Sequence, residues 1–223
     1  MPYLHPTLIA ALTGFISGLL LSIPVGPVNL TIMNEGARQG FKWAALIGIG
    51  ASLMEVIYCS LAFTGFASFF SKGYIKAAME LFSFGFMLFL GMKFLLAKSV
   101  PTSSRVEARI ETKLHPHSAF MTGFVRVMGN PGVFLFWIIL GANFISREWV
   151  KPTWESKGAC IGGVALGTTL WFIGLSWAVS LGHKKYSEKT LLWMAKGSGI
   201  GLLGLALIHG IHMVMVMAEK HPK

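Results

Sequence analysis

The sequence predicts an all-α, polytopic membrane protein with six transmembrane helices, and three observations lead there. Of the 223 residues, 54% are hydrophobic and only 13% charged, with a mean hydropathy of +0.64. A soluble domain has about 45–50% apolar and ~25% charged residues. Six apolar stretches reach the ~20 residues that a helix needs to cross a bilayer, at approximately 8–32, 43–70, 75–97, 117–145, 158–182 and 190–217. The polar joints between them, the longest at 98–117, are too short to fold as a soluble domain. The chain therefore reads as a single transmembrane domain over 1–223, with halves at about 1–97 and 117–217 and a linker at about 98–116.

Span one follows "MPYLHPTLIA", which lacks the basic n-region of a secretory signal, so it is expected to be retained. It contains "SIPVGPVN", Ser22 to Asn29. A proline inside a helix removes a donor and clashes with the preceding turn, so Pro24 and Pro27 together predict a break. At ~1.5 Å per residue Gly26 lies about 10 Å from the end of its span. Lipid cannot satisfy the freed backbone groups, which predicts burial in protein or a watery cavity at that depth.

Span two carries Glu55 about 18 Å deep, near the midplane, with no basic residue at i±3 or i±4. Two readings stay open. Glu55 is a structural ion-pair partner of Arg126 in span four, or a proton carrier, since a carboxyl group held away from water can take up and release a proton as its surroundings change. Span three begins with Glu80 near one interface, and its Lys93 can snorkel, as can Lys196 in span six. Span four repeats the proline device in "RVMGNPGV", where Gly129, Asn130, Pro131 and Gly132 predict a second break. Span five holds Cys160, which with Cys59 of span two reads as a buried structural thiol rather than a metal or redox pair. His209 and His212 in span six are one helical step apart, and ligation by them is the less favoured reading.

Small residues recur at i, i+4 in Gly14xxxGly18, Gly36xxxGly40, Gly158xxxGly162, Gly163xxxGly167 and Gly197xxxGly201, which predicts close helix packing. The net charge of +10 resides mainly in the joints, as headgroup anchors rather than a nucleic-acid surface. On one side lie Arg38, Lys42, Lys98, Arg105, Arg109, Lys113, Lys184, Lys185 and Lys189. On the other lie Lys72, Lys76, Arg147, Lys151, Lys157, Lys220 and Lys223, so the bias is nine to seven. Together with the uncharged N-terminus it predicts both termini outside and the 98–117 joint in the cytoplasm.

Three spans per half is an odd number, so homologous halves would insert in opposite senses, as in the inverted repeats of secondary transporters. The breaks fall in the matching spans one and four, which supports a 3+3 arrangement. Such breaks present helix termini that can bind carboxylates or cations. No HExxH, GxSxG or Walker-type motif is present and the nine acidic residues are all Glu, so an enzyme is not expected. Neither a metal site nor a cofactor is expected, and without a nucleotide site an ion gradient is the expected drive.

The first 60 residues, with "IPVGPVN" followed by "GIGASLME", resemble the LysE/RhtB-type amino-acid exporters, and "GNPGVFLFWIILGANF" resembles that family's Asn-Pro segment. The resemblance implies a six-span exporter in the inner cell membrane, multi-pass, that moves amino acids or related small metabolites out in exchange for protons. It places the substrate site on Pro24, Gly26, Pro27, Asn29, Asn130 and Pro131, and the membrane acid on Glu55. This chain departs from the pattern in Glu rather than Asp at 55, in Met54 where Gly is frequent, and in "PVGP" for "PGP", changes that alter pocket size. The expected partners are a small-molecule substrate, protons and membrane lipid, and a homo-oligomer is compatible with the sequence. The alternatives are a divalent-cation exporter of related fold, which would need several membrane carboxylates or Cys/His ligands, and a non-transporting membrane scaffold.

Overall fold

Proline and glycine placement cuts two of the expected spans in half. The computed structural model describes residues 5–24, 26–66, 73–98, 118–181 and 188–220, and the described residues form helices joined by short connections. Helix α1 (Pro6–Ser22) opens with proline at its first position, and α2 (Pro27–Gln39) starts on the extended Gly26 with Pro27 next. The two are bent by 69°. Proline suits the first turn, where its missing N–H is no loss, so the second residue of the Pro24/Pro27 pair starts a new helix.

Helix α2 runs past the expected end of span one, through most of the polar joint. Arg38 and Gln39 both reach back to Glu35, at 3.6 and 2.5 Å, which keeps those residues helical. The turn into α3 (Phe41–Leu61) is Gly40 with φ of +84°, a conformation that favours glycine. Gly36xxxGly40 is therefore half a packing motif: Gly36 sits against Ala44 and Val179, while Gly40 makes a turn. Helix α3 continues into a π-helical turn at Ala62–Phe66. Helix α4 spans Gly73–Leu95.

The second broken span is α5 (Ala119–Met128) and α6 (Pro131–Ser146), bent by 66°. Ser118 caps α5 by accepting from the Met121 N–H at 3.2 Å, and Asn130 caps α6 by accepting from the Gly132 N–H at 3.1 Å. Helices α7 (Trp154–Leu181) and α8 (Glu188–Lys220) complete the described chain. Two helices, the α3 stretch Phe41–Thr64 and α7, are long and apolar enough to cross a membrane. With each bent pair counted as one span the number among the described residues is four, and α4 and α8 add the apolar stretches Phe84–Leu95 and Ala195–Ile208. The 99–117 linker lies outside the described residues, as do the side chains of Glu80, His209 and His212.

Two glycine crossings hold the helices together. An added Cβ on Gly14 would lie 2.0 Å from the carbonyl oxygen of Cys160, and one on Gly163 would lie 2.1 Å from that of Ala11. Between α3 and α5 the same geometry recurs: Gly123 meets the Ile47 carbonyl at 1.8 Å and Gly50 the Phe120 carbonyl at 2.0 Å. Backbone rests on backbone at both crossings, as expected where small residues rather than the hydrophobic effect bring helices together in lipid. Gly158, Gly162, Gly197 and Gly201 have nothing within 4 Å, so their motifs are not packing faces among the described residues. The buried core draws on α3, α6 and α7, with Ile47, Trp137, Ile139 and Val164 at its centre, while Leu166, Trp193 and Leu207 stand 63–69% exposed, the apolar exterior of a membrane protein.

Candidate functional site

The first break is stitched by Asn29. A helix end leaves carbonyls without partners, and Asn29, buried on the first turn of α2, donates both amide hydrogens back across the gap, to the carbonyls of Ser22 and Pro24 at 2.8 Å each. Its Oδ1 accepts from the indole Nε1–H of Trp171 on α7 at 3.3 Å. The expected substrate contact is thus committed to the backbone in this structure. Asn130 differs: it is a helix cap at the second break, half-buried.

Arg126, near the end of α5, donates from Nη1 to the Pro27 carbonyl at 3.2 Å. Residues 99 positions apart are joined, and the two breaks meet through this bond. The ion pair of Glu55 with Arg126, expected from similar depth, is not formed. Equal depth fixes height in the membrane but not rotation about the helix axis, and Arg126 turns to the first break. Among the described residues no Lys, Arg or His lies within ion-pair distance of the Glu55 carboxylate.

Glu55 instead accepts a hydrogen bond from the Trp137 indole N–H of α6, and both residues are buried. Residues three apart share one helix face, and the α3 face through Ser52, Glu55 and Tyr58 is polar along its length. Ser52 bonds the hydroxyls of Thr168 and Thr169 on α7 at 2.5 and 2.8 Å. Tyr58 donates to the Met128 carbonyl at 2.8 Å, where α5 ends at the second break. One stripe of α3 therefore reaches α5, α6 and α7, and its middle member is the acid. These contacts satisfy buried polar groups that lipid would leave bare.

Sequence reasoning missed Trp137 and Trp171. Their signal is position: tryptophan favours membrane interfaces, and an indole deep in a span needs an acceptor for its N–H. It also misread Lys157, counted as a loop anchor. Lys157 is buried on the first turn of α7, donates to the Phe63 carbonyl at 3.1 Å, and lies 5.0 Å from the Trp154 ring centre. The π-helical turn offers that carbonyl and the ammonium takes it. Glu55 and Lys157 are the buried charged residues among those described.

A cavity of about 460 Å³ lies elsewhere, between α1, α4, α6 and α8, and neither Glu55 nor the residues of the two breaks line it.

The family model for LysE type translocators matches residues 19–212. The candidate amino acid efflux protein YcgF of Bacillus subtilis is 25% identical over 199 residues, 89% of this chain and 94% of that protein. The chemotactic transduction protein ChpE of Pseudomonas aeruginosa is 22% identical over 198 residues, 87% of this chain and 94% of that one. No solved structure matches the chain.

Proposed function

The chain belongs to the LysE type translocator family, whose members are transporters and not enzymes, and from that premise we propose that it exports amino acids or closely related metabolites from the cytoplasm across the inner membrane, with protons as the coupling ion. The observation that carries this reading is the meeting of two broken helices, tied by Arg126 to Pro27, beside a face of α3 whose central residue is the buried Glu55. The name of the Bacillus relative supports the substrate class.

The site is framed by Pro24, Gly26 and Pro27 on one side and Asn130 and Pro131 on the other, where α2 and α6 begin. A helix N-terminus carries partial positive charge and suits a substrate carboxylate. Asn29 keeps the first break open rather than closing on substrate. Glu55, held by Trp137, exchanges the proton, and its neutral and charged forms accept the indole N–H with different strength. Titration of Glu55 thereby acts on α6, which carries the second break at its start.

Six spans in two inverted halves fit this scheme, with both termini outside. In the pairing of span one with four and two with five, the α1–α7 crossing becomes the α5–α3 crossing. Gly14 then corresponds to Gly123 and Gly163 to Gly50, and each of the four glycines rests on the carbonyl three residues before the glycine facing it. That coincidence of register supports the repeat.

The test is efflux from proteoliposomes loaded with a panel of amino acids, under an imposed pH gradient. Glu55→Gln is expected to abolish gradient-driven efflux while the protein still folds and still binds substrate. Unchanged coupling in that variant rejects the role of Glu55, and absence of efflux for every amino acid in the native protein rejects the substrate class.

A further inference from the structure

We propose that the groove beside α1 is a binding site for one acyl tail of an anionic phospholipid, with the headgroup at Arg147. Four helices wall a volume of about 460 Å³, and α1 lines it from Ile9 to Leu21. Those 12 steps of ~1.5 Å measure about 18 Å, close to the ~15 Å hydrocarbon depth of one leaflet. The groove thus runs from one membrane surface to the middle of the bilayer.

It opens sideways. Leu12, Ile16 and Leu20 line it and are nevertheless 44–52% exposed, so in a membrane the open flank meets hydrocarbon. An apolar cavity excludes water, and the adjacent solvent that can fill it is an acyl chain. The walls are mainly aliphatic and aromatic, and of their few polar groups Thr13 donates to the Ile9 carbonyl and the Asn143 amide to that of Ile139, both at 2.8 Å.

The surface end carries the charge. Arg147 stacks its guanidinium over Trp149 at 5.3 Å, and Trp149 packs on Phe144 at 6.3 Å. A cation within an aromatic belt is the arrangement that meets a phosphate headgroup, and the chain's net charge of +10 favours an anionic one. The tail would lie against both broken spans: Leu20 and Leu21 immediately precede the first break, and Phe136 and Leu140 follow the second on α6. The site is independent of which solute is exported.

The full-length protein in detergent, titrated with phosphatidylglycerol and with phosphatidylcholine and observed by native mass spectrometry, tests the proposal. The native protein is expected to bind phosphatidylglycerol about fivefold more tightly, the strength of one basic residue against an anionic headgroup. Ile16→Trp fills the groove and is expected to lose at least fivefold for both lipids, whereas Leu166→Trp, on the exposed face of α7, leaves binding unchanged. Arg147→Gln is expected to lower phosphatidylglycerol to the phosphatidylcholine level, and Arg147→Lys to keep the preference. Native lipid binding by a folded Ile16→Trp protein, or a preference retained in Arg147→Gln, overturns the proposal. So does a change of oligomeric state in Ile16→Trp without loss of lipid, which assigns the groove to a second copy, and so does displacement of the lipid by an amino acid.

Discussion

Replacing Asn29 by Ala tests whether this residue holds the first break together. The change deletes both donors to the Ser22 and Pro24 carbonyls and the acceptor for Trp171. At 2% exposure no water takes their place, and each stranded carbonyl costs about 1–3 kcal/mol. Together they remove about 4 kcal/mol, and at ~2–4 °C per kcal/mol for a chain of this size the unfolding midpoint falls by on the order of 10 °C. Asn130→Ala loses one capping bond, to the Gly132 N–H, at a half-buried position. That costs about 1 kcal/mol, or ~3 °C. Thermal unfolding of both variants in detergent, followed by fluorescence, makes the comparison. If Asn29→Ala melts no lower than Asn130→Ala, the assignment of Asn29 to the backbone of the break is refuted.

Two further substitutions address the crossings and the acid. Gly123→Ala places a methyl group 1.8 Å from a carbonyl oxygen that cannot step aside, and is expected to destabilise by about 3 kcal/mol or more, whereas Gly158→Ala enters open space and is neutral or slightly stabilising; equal melting temperatures would reject backbone-to-backbone packing. Trp137→Phe keeps the ring and removes the N–H, and is expected to weaken gradient-driven efflux and to raise the rate of carbodiimide modification at Glu55 roughly tenfold, as expected for loss of a hydrogen bond of about 1.5 kcal/mol to a charged group. An unchanged modification rate, read by mass spectrometry of the peptide, would show the indole bond to be idle.

The breaks were readable because proline acts on its own turn: Pro24, Pro27 and Pro131 dictate local geometry whatever surrounds them. Glu55 was readable as a charge in an apolar run. Its partner was not, because sequence gives the depth of Arg126 and Trp137 but not the rotation of α5 and α6 that aims one at Pro27 and the other at the acid. The glycine motifs show the same boundary. A flat face at i, i+4 announces that a helix can approach, yet Gly14xxxGly18 and Gly163xxxGly167 found backbone to rest on and Gly158xxxGly162 did not. Lys157 failed for a further reason: the carbonyl that accepts it belongs to a π-helical turn 94 residues earlier. With Lys157 withdrawn from headgroup contact, the cation bias between the two sides widens from nine against seven to nine against six.

The bond from Arg126 to Pro27 has a kinetic meaning. Two breaks that share a bond cannot rearrange one at a time without breaking it, and a hydrogen bond from a charged donor is worth about 1.5–3 kcal/mol. A state with one break rearranged and the other at rest is therefore rarer by roughly tenfold to a hundredfold than it would be if the halves were independent. In the proposed transport cycle the tie would favour a single concerted rearrangement, and would suppress the doubly open state through which a gradient would leak.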